Sequence, residues 1–251
     1  MKTQIIGDSM QALVMNLSKG EKVFAEAGSM MYLKGSVEME AEMTGGLMGG
    51  LKRVFSGESL FMTTFDCTGE SGEVGFASPF PGKIKEVKIN GTELLCQRDA
   101  FLCCTEGVEV DVALTKRLGA GFFGGEGFIL ESLRGNGDAF IHAGGNFVEM
   151  DLKAGQTVKV DTGCLVAFEE KVNYDIKFVG GLKRTIFGGE GLFFAHLTGP
   201  GKIYLQTLPF SRMADRVWEA AGGTKGEKRG LRTGNLGVGI GGSIVKDMLG
   251  R

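Results

Sequence analysis

The stretch FFGGEGF (residues 122–128) is repeated as FGGEGLFF (187–194), and a diverged copy, VFSGESLF, covers residues 54–61. Glu126 and Glu190 lie 64 residues apart in the two closest copies, and Glu58 takes the same place in the diverged one. A fixed spacing between similar segments is typical of an internally repeated fold. The sequence therefore predicts one structural unit that occurs three times.

The repeat extends well beyond this turn. A shift of 64 residues aligns 92–142 with 156–206 without a gap, and a shift of 71 places VEMEAEM (37–43) on VEVDVAL (108–114). Three copies follow, at about 20–90, 91–154 and 155–210. We expect residues 1–217 to form one compact β-domain, followed by a Gly-rich C-terminal tail over 218–251.

Each copy contains a segment with the period-2 pattern of a β-strand. In the second copy, Val108, Val110 and Val112 alternate with Glu109 and Asp111, which predicts a sheet with one buried face. An apolar strand, a tight turn and a return strand follow the Gly-Glu turn and indicate a β-hairpin. A helical pattern is clear only in SRMADRVWEAAGG (211–223), so the expected fold is all-β with a short C-terminal helix.

The three predicted units share the same edges and faces and are joined by short connections. Their simplest arrangement is around a pseudo-threefold axis, as a trimer made within one chain. Within each unit, the predicted strands would form a β-sandwich or a double-stranded β-helix.

Long segments of the chain resemble the altered-inheritance-of-mitochondria family. They are GGLKRVFSGESLFMTTF (49–65), GGEGFILESLRGNGDAFIHA (124–143) and FGGEGLFFAHLTGPGKIYLQTLPFSRMADR (187–216). The resemblance covers about residues 1–217 and implies units like those of the trp RNA-binding attenuation protein. Bacterial members of the family are mainly domains of unknown function, and the family carries over no catalytic residues. The relation to RNA is an analogy of fold alone.

Composition narrows the function classes. The 251 residues are 43% hydrophobic, and 28 Lys and Arg against 30 Asp and Glu give a formal net charge of -2. Such a balance argues against specific nucleic-acid binding. The N-terminal residues resemble neither a signal peptide nor a transit peptide. Five cysteines without metal-ligand spacing read as small buried hydrophobic residues, and we expect a cytoplasmic protein.

Catalytic and cofactor motifs are lacking in the sequence. The two histidines, His142 and His196, do not recur between the copies, so we read both as structural. No nucleophile elbow or phosphate-binding loop occurs, and GVGIGG (237–242) lacks the Lys-Ser/Thr pair of such a loop. We therefore predict a protein that is not an enzyme and needs no cofactor.

The repeated glutamate has two readings. Glu58, Glu126 and Glu190 can each brace a Gly-rich bend by accepting backbone N–H bonds, which are worth about 1.5–3 kcal/mol when charge-assisted. Alternatively, three carboxylates that meet near a pseudo-threefold axis can bind a hard cation.

A basic pair precedes each glutamate, and it also has two readings. The residues are Lys52, Arg53, Lys116, Arg117, Lys183 and Arg184. They are either parts of solvated loops or one basic face with apolar neighbours that is suited to an anionic membrane or another polyanion.

The sequence thus predicts a homo-oligomeric scaffold or interaction protein without an assigned biochemical function. The alternative is a protein that binds a small molecule or a polyanion such as an anionic lipid. An enzyme ranks third. Bound material in native mass spectrometry would distinguish the ligand-binding protein from a pure scaffold.

Overall fold

The computed structural model describes residues 1–26, 28–43, 61–113, 129–179 and 192–221, and it describes the backbone alone at 41–43, 61, 178–179 and 192–193. These residues belong to a compact unit formed by Met1–Thr115 and Ile129–Gly223. The other unit, Lys116–Phe128 with Thr224–Arg251, lies outside the described residues. The predicted boundary between a domain over 1–217 and a tail over 218–251 stays a prediction.

The described part of the chain is mostly β-strand, as predicted. The strands are β1 (Lys2–Ile6), β2 (Ala12–Ser18), β3 (Lys22–Glu26), β4 (Met30–Met43), β5 (Phe61–Ala77), β6 (Gly82–Asn90), β7 (Leu94–Gln97), β8 (Phe101–Thr105), β9 (Val108–Ala113), β10 (Leu130–Gly144), β11 (Phe147–Leu152), β12 (Thr157–Asp161), β13 (Leu165–Glu169), β14 (Asn173–Val179), β15 (Leu192–Thr198) and β16 (Gly201–Gln206). Short 3₁₀ turns precede β8 and β13.

The predicted C-terminal helix is present as α1 (Phe210–Ala220). It begins after Pro209, and its apolar residues Phe210, Val217 and Trp218 are exposed. Among the described residues, no helix is both long enough and apolar enough to cross a membrane.

The strands fall into three groups. Two groups are each arranged along one long central strand, and the third is arranged along two consecutive shorter strands. The central strands are β5 in the first group, β10 in the second, and the pair β15 and β16 in the third. In the first group, β2, β3 and β4 are antiparallel to β5. In the second, β6, β7, β8 and β9 are antiparallel to β10. In the third, β12 and β14 flank β15, while β11 and β13 flank β16.

The central strand β10 serves two sheets, and glycine allows it to pass from one to the other. In β10, Gly135 has φ +104°, and a Cβ there would lie 2.1 Å from the carbonyl oxygen of Gly107. An L-residue with a side chain would therefore be strained and would clash with the backbone at this position. The first half of β10 pairs with β7 and β9, and the second half pairs with β6 and β8.

The groups are joined by two strand pairings, which we call seams. In the first seam β3 pairs with β8, and in the second β7 pairs with β13. These pairings connect thirteen strands, while β12, β15 and β14 form a separate three-stranded sheet.

Two apolar clusters form the core between these sheets. One contains Phe65 and Phe76, whose rings meet edge to face at 5.3 Å, and the other contains Leu133 and Ile141. We expected each sheet to have one buried face, yet residues 101–104 of β8 and 165–168 of β13 are buried on both faces. In β8 the reason is that its two faces pack in different core clusters, one through Cys103 and the other through Cys104.

Candidate functional site

The residues proposed from the sequence as functional all fall outside the described residues. This holds for the basic set Lys52, Arg53, Lys116, Arg117, Lys183 and Arg184, and for the repeated turn residues Glu58, Glu126 and Glu190. The structure therefore tests neither the polyanion-binding face nor the choice between a turn brace and a cation site. Within the described ranges, no cluster of three or more His, Cys, Asp or Glu side chains could hold a metal ion.

The cysteines confirm their predicted role as buried hydrophobic residues. Cys67, Cys96, Cys103 and Cys104 are buried, and Cys164 is half-buried. Burial raises the pKa of Cys104 to about 12, so its reactive thiolate form is scarce at neutral pH. Cys103 and Cys104 belong to different core clusters, as expected for neighbours on a strand.

His142 lies in the sheet and is buried against the ring of Phe80, with the ring centroids 4.8 Å apart. Burial lowers its pKa to about 4, so the imidazole is neutral at physiological pH. His196 lies on β15, between Lys159 of β12 and Asp175 of β14. Each histidine thus occupies a position in a sheet ladder.

A buried acid lies next to the second seam, because it stands beside the seam strand β7. Glu131 of β10 stands opposite Cys96 of β7 and Val112 of β9, which pack in one core cluster. Side chains directly opposite each other share a face of the sheet, so Glu131 points into that cluster. It is fully buried, and within the described part of the chain neither carboxylate oxygen has a hydrogen-bond partner.

The electrostatic surroundings favour the neutral form of this acid. Burial raises the pKa of Glu131 to about 8, with a further contribution from Glu26 at the end of β3. Burial also raises the pKa of Glu26 to about 7, although Arg98 opposes the shift across a 3.8 Å ion pair. The sequence reading missed this pair. The signal was an acid inside the apolar run FILESL.

A comparison with the seams provides the clearest candidate for an interaction site. In the first and the third group, one strand that corresponds to a seam strand has no seam partner among the described strands. In the seams, β3 and β7 pair with β8 and β13 of the following group. The corresponding strand of the third group is β12, which pairs only with β15 among the described strands. The corresponding strand of the first group is residues 30–35 of β4, which pair with β5 and with no other strand that the structure describes. We call these two strand edges the open edges.

Exposure separates the open edges from the seams. Met31 and Leu33 on β4 are 54% and 36% exposed, whereas Leu102 and Cys104 on β8 are 2% and 0% exposed. Other free edges, such as those of β6, β9, β11 and β14, occur at equivalent places in more than one group. The open edges are the ones whose counterparts elsewhere in the chain are covered.

The described residues define an all-β protein of antiparallel sheets with one open edge in the first strand group and one in the third. A family model described as mitochondrial biogenesis AIM24 matches residues 3–208, and the chain belongs to this family. The match confirms the resemblance seen in the sequence.

The relatives are uncharacterized and indicate no specific biochemical function. An uncharacterized protein of Streptococcus pyogenes serotype M6 is 27% identical over 207 residues, which cover 79% of this chain and 82% of the relative. A crystal structure of a Streptococcus pyogenes protein superposes with a TM-score of 0.72 at 24% identity. It covers 87% of this chain and 99% of that protein, and supports the fold.

Proposed function

We propose that this protein is a non-enzymatic scaffold that assembles with further copies of itself through its open edges. The observation that carries the proposal is that both seam strands of the middle group have a seam partner, whereas each end group has one such strand without a seam partner in the described part of the chain. An exposed strand edge offers unpaired N–H and C=O groups, and these groups readily add another strand.

The apolar surface that self-association would bury at the open edges also supports the proposal. Met31, Tyr32 and Leu33 are exposed apolar or aromatic residues on consecutive positions of β4. Complete burial of one such side chain contributes about 1.5–3 kcal/mol. Pairing of β4 with a second strand adds backbone hydrogen bonds to this apolar gain.

The strand registers favour the further proposal that the three groups are copies of one unit. Val37 pairs with Cys67, and Val108, 71 positions later, pairs with Gly135, 68 positions after Cys67. The same change of shift from 71 to 68 occurs in the sequence, where Glu126 lies 68 positions after Glu58. From the second group to the third, Glu109 and Arg134 correspond to Asn173 and Thr198, each 64 positions later.

The pseudo-threefold arrangement, the lack of enzymatic activity and the cytoplasmic location stay predictions. A closed threefold arrangement within one chain would require β12 to pair with β4 of the same chain. Self-assembly places β4 of another copy there instead. The buried, unpaired cysteines support a reducing compartment.

The mass of the protein in solution tests the proposal. We expect the wild type to sediment well above the 26.7 kDa of one chain, and the double variant Met31→Glu/Leu33→Glu to sediment as a monomer. Met39→Glu is the matched control, because Met39 lies on the same strand and is 51% exposed. A wild type that stays monomeric at micromolar concentration overturns the proposal, as does a double variant that still assembles with its fold intact by circular dichroism.

A further inference from the structure

The two seams show how one strand group recognises the next. We call β3, β7 and β12 the second strands of the three groups, and residues 30–35 of β4, β8 and β13 the third strands. In each seam, the second strand of one group pairs with the third strand of the following group. Among the described residues, no two second strands and no two third strands pair with each other. Val23 stands opposite Thr105 in the first seam, and Leu94 stands opposite Glu169 in the second. Leu94 is 71 positions after Val23 and Glu169 is 64 positions after Thr105. These are the same two shifts that align the copies in the sequence, so the seams share one register.

We propose that β12 of one copy pairs with residues 30–35 of β4 in the next copy, in the register of the two internal seams. This inference rests on the proposed function and adds the partner surface and its geometry. The same shifts carry Leu94 to Val158 and Thr105 to Lys34. Continuing along the antiparallel ladder, Lys159 then faces Leu33 and Val160 faces Tyr32.

This pairing joins the two terminal half-sheets into one sheet. The strands β1, β2, β5 and β4 form a half-sheet at one end of the chain, and β14, β15 and β12 form one at the other. The contact between copies is thus a third seam of the kind that already holds the chain together. Its two surfaces differ, so copies associate head to tail.

A two-fold contact between identical edges fits less well. If β12 paired with itself in antiparallel fashion about its central residue, Lys159 would stand opposite Lys159. Like charges directly opposite in a ladder destabilise the pairing. Self-pairing of β4 would cover one open edge and leave β12 exposed in every copy. Head-to-tail contact covers both edges with one interface and either closes into a ring or extends as a filament.

The residues of the open edges keep the character of seam strands. Residues 30–34 read MMYLK, beside FLCCT in β8 and LVAFE in β13. An apolar run that stays exposed is a liability for a monomer, and natural edge strands usually carry charges or proline to prevent association. The composition of β4 therefore fits a strand that is covered in the assembled protein.

Cysteine crosslinking between separately made variants tests the register. Opposite residues of an antiparallel pair have Cα atoms about 4.5–5.5 Å apart, which a disulfide can bridge. In a Cys164→Ser background, Tyr32→Cys mixed with Val160→Cys should give a crosslinked dimer on oxidation, whereas each variant alone should not. Lys34→Cys mixed with Val158→Cys is an independent second pair, which keeps the test valid if one substitution impairs folding.

The matched control is Tyr32→Cys mixed with Lys159→Cys. In the proposed register these side chains lie one position apart and point to opposite faces, so they should not crosslink. Crosslinking of either single variant with itself, or of the control mixture, overturns the head-to-tail register. In the double variant Tyr32→Cys/Val160→Cys, a crosslink within a monomer also overturns it and favours threefold closure within one chain. Self-association itself is read from the wild-type mass, so an oligomer without these crosslinks refutes only the register.

Discussion

The third strands of the three groups occupy equivalent positions in their sheets but different surroundings. β8 and β13 are paired on both edges and buried through residues 101–104 and 165–168. Residues 30–35 of β4 are paired on one edge, and residues 31–35 are exposed throughout. Similar apolar residues are therefore core in one place and surface in another. What differs is the presence of a neighbouring group.

The second strands show the same contrast more weakly. In β3, Val23 and Ala25 are fully buried in the first seam. In β12, the corresponding Val160 is buried but Val158 is only half-buried. Of the two open edges, the one on β4 is therefore the more exposed. The energetic consequence of assembly should be largest there.

The largest expected effect is a difference in stability between two alanine substitutions at equivalent positions. Phe168 on β13 and Leu33 on β4 pair at the same place in their groups, opposite Ile203 and Val74. Phe168→Ala should lower the free energy of unfolding by about 3–5 kcal/mol, because it opens a cavity in a closed core. Leu33→Ala should cost less than about 1 kcal/mol in a dilute, dissociated sample. Urea unfolding at low and high protein concentration measures both.

Concentration separates folding from assembly in that experiment. The loss caused by Phe168→Ala should be the same at both concentrations, whereas the loss caused by Leu33→Ala should grow as the wild type assembles. If the two variants were equally destabilised in dilute solution, β4 would be covered within the monomer and the contrast between seam and open edge would be wrong.

The buried acid beside the second seam provides the second prediction. Its folded-state pKa of about 8 lies above the ordinary value of 4.5, so at pH values between the two the folded protein holds one proton more than the unfolded chain. The contribution of Glu131 to stability is present below about pH 4.5 and is lost as pH rises towards 8. Each unit of pKa shift corresponds to about 1.4 kcal/mol. Glu131→Gln should therefore flatten the pH dependence and exceed the wild type in stability at pH 9.

Glu109→Gln is the control for this prediction, since Glu109 is exposed on the neighbouring strand β9. It should follow the wild-type pH profile. Thermal unfolding from pH 5 to pH 9 gives the comparison for the three proteins. Parallel profiles for the wild type and Glu131→Gln would show that the acid is ionised in the folded protein at neutral pH.

Sequence patterns predicted the strands whose side chains alternate between solvent and core. β9 was predicted from Val108, Val110 and Val112, and the first two are buried while Glu109 is exposed. The helix α1 was predicted from its apolar spacing. The family was predicted from long motifs. These features depend on local periodicity, which a single sequence displays directly.

The open edges and the buried acid depend on neighbours that are distant in sequence. MMYLK and FLCCT have similar apolar character, so composition alone does not tell which one has a covering strand. Glu131 lies between strands β7 and β9 in the sheet, and both strands come earlier in the chain. Its burial follows from the sheet order, and sheet order is not encoded in the pattern of any one segment.

The smallest expected effect concerns the basic pairs, which occur in all three copies and should not distinguish the middle group from the ends. If they form a polyanion-binding face, Lys116→Ser/Arg117→Ser in the middle copy should weaken binding to anionic liposomes as much as Lys52→Ser/Arg53→Ser in the first copy. Each charge near an anionic surface is worth about 1 kcal/mol and is screened by salt. Flotation with anionic and neutral vesicles at low and high salt measures this, with all six residues changed to Ser as the reference for lost binding. Equal flotation of the six-fold variant and the wild type would identify the pairs as parts of solvated loops, and would leave the open edges as the interaction surface of the protein.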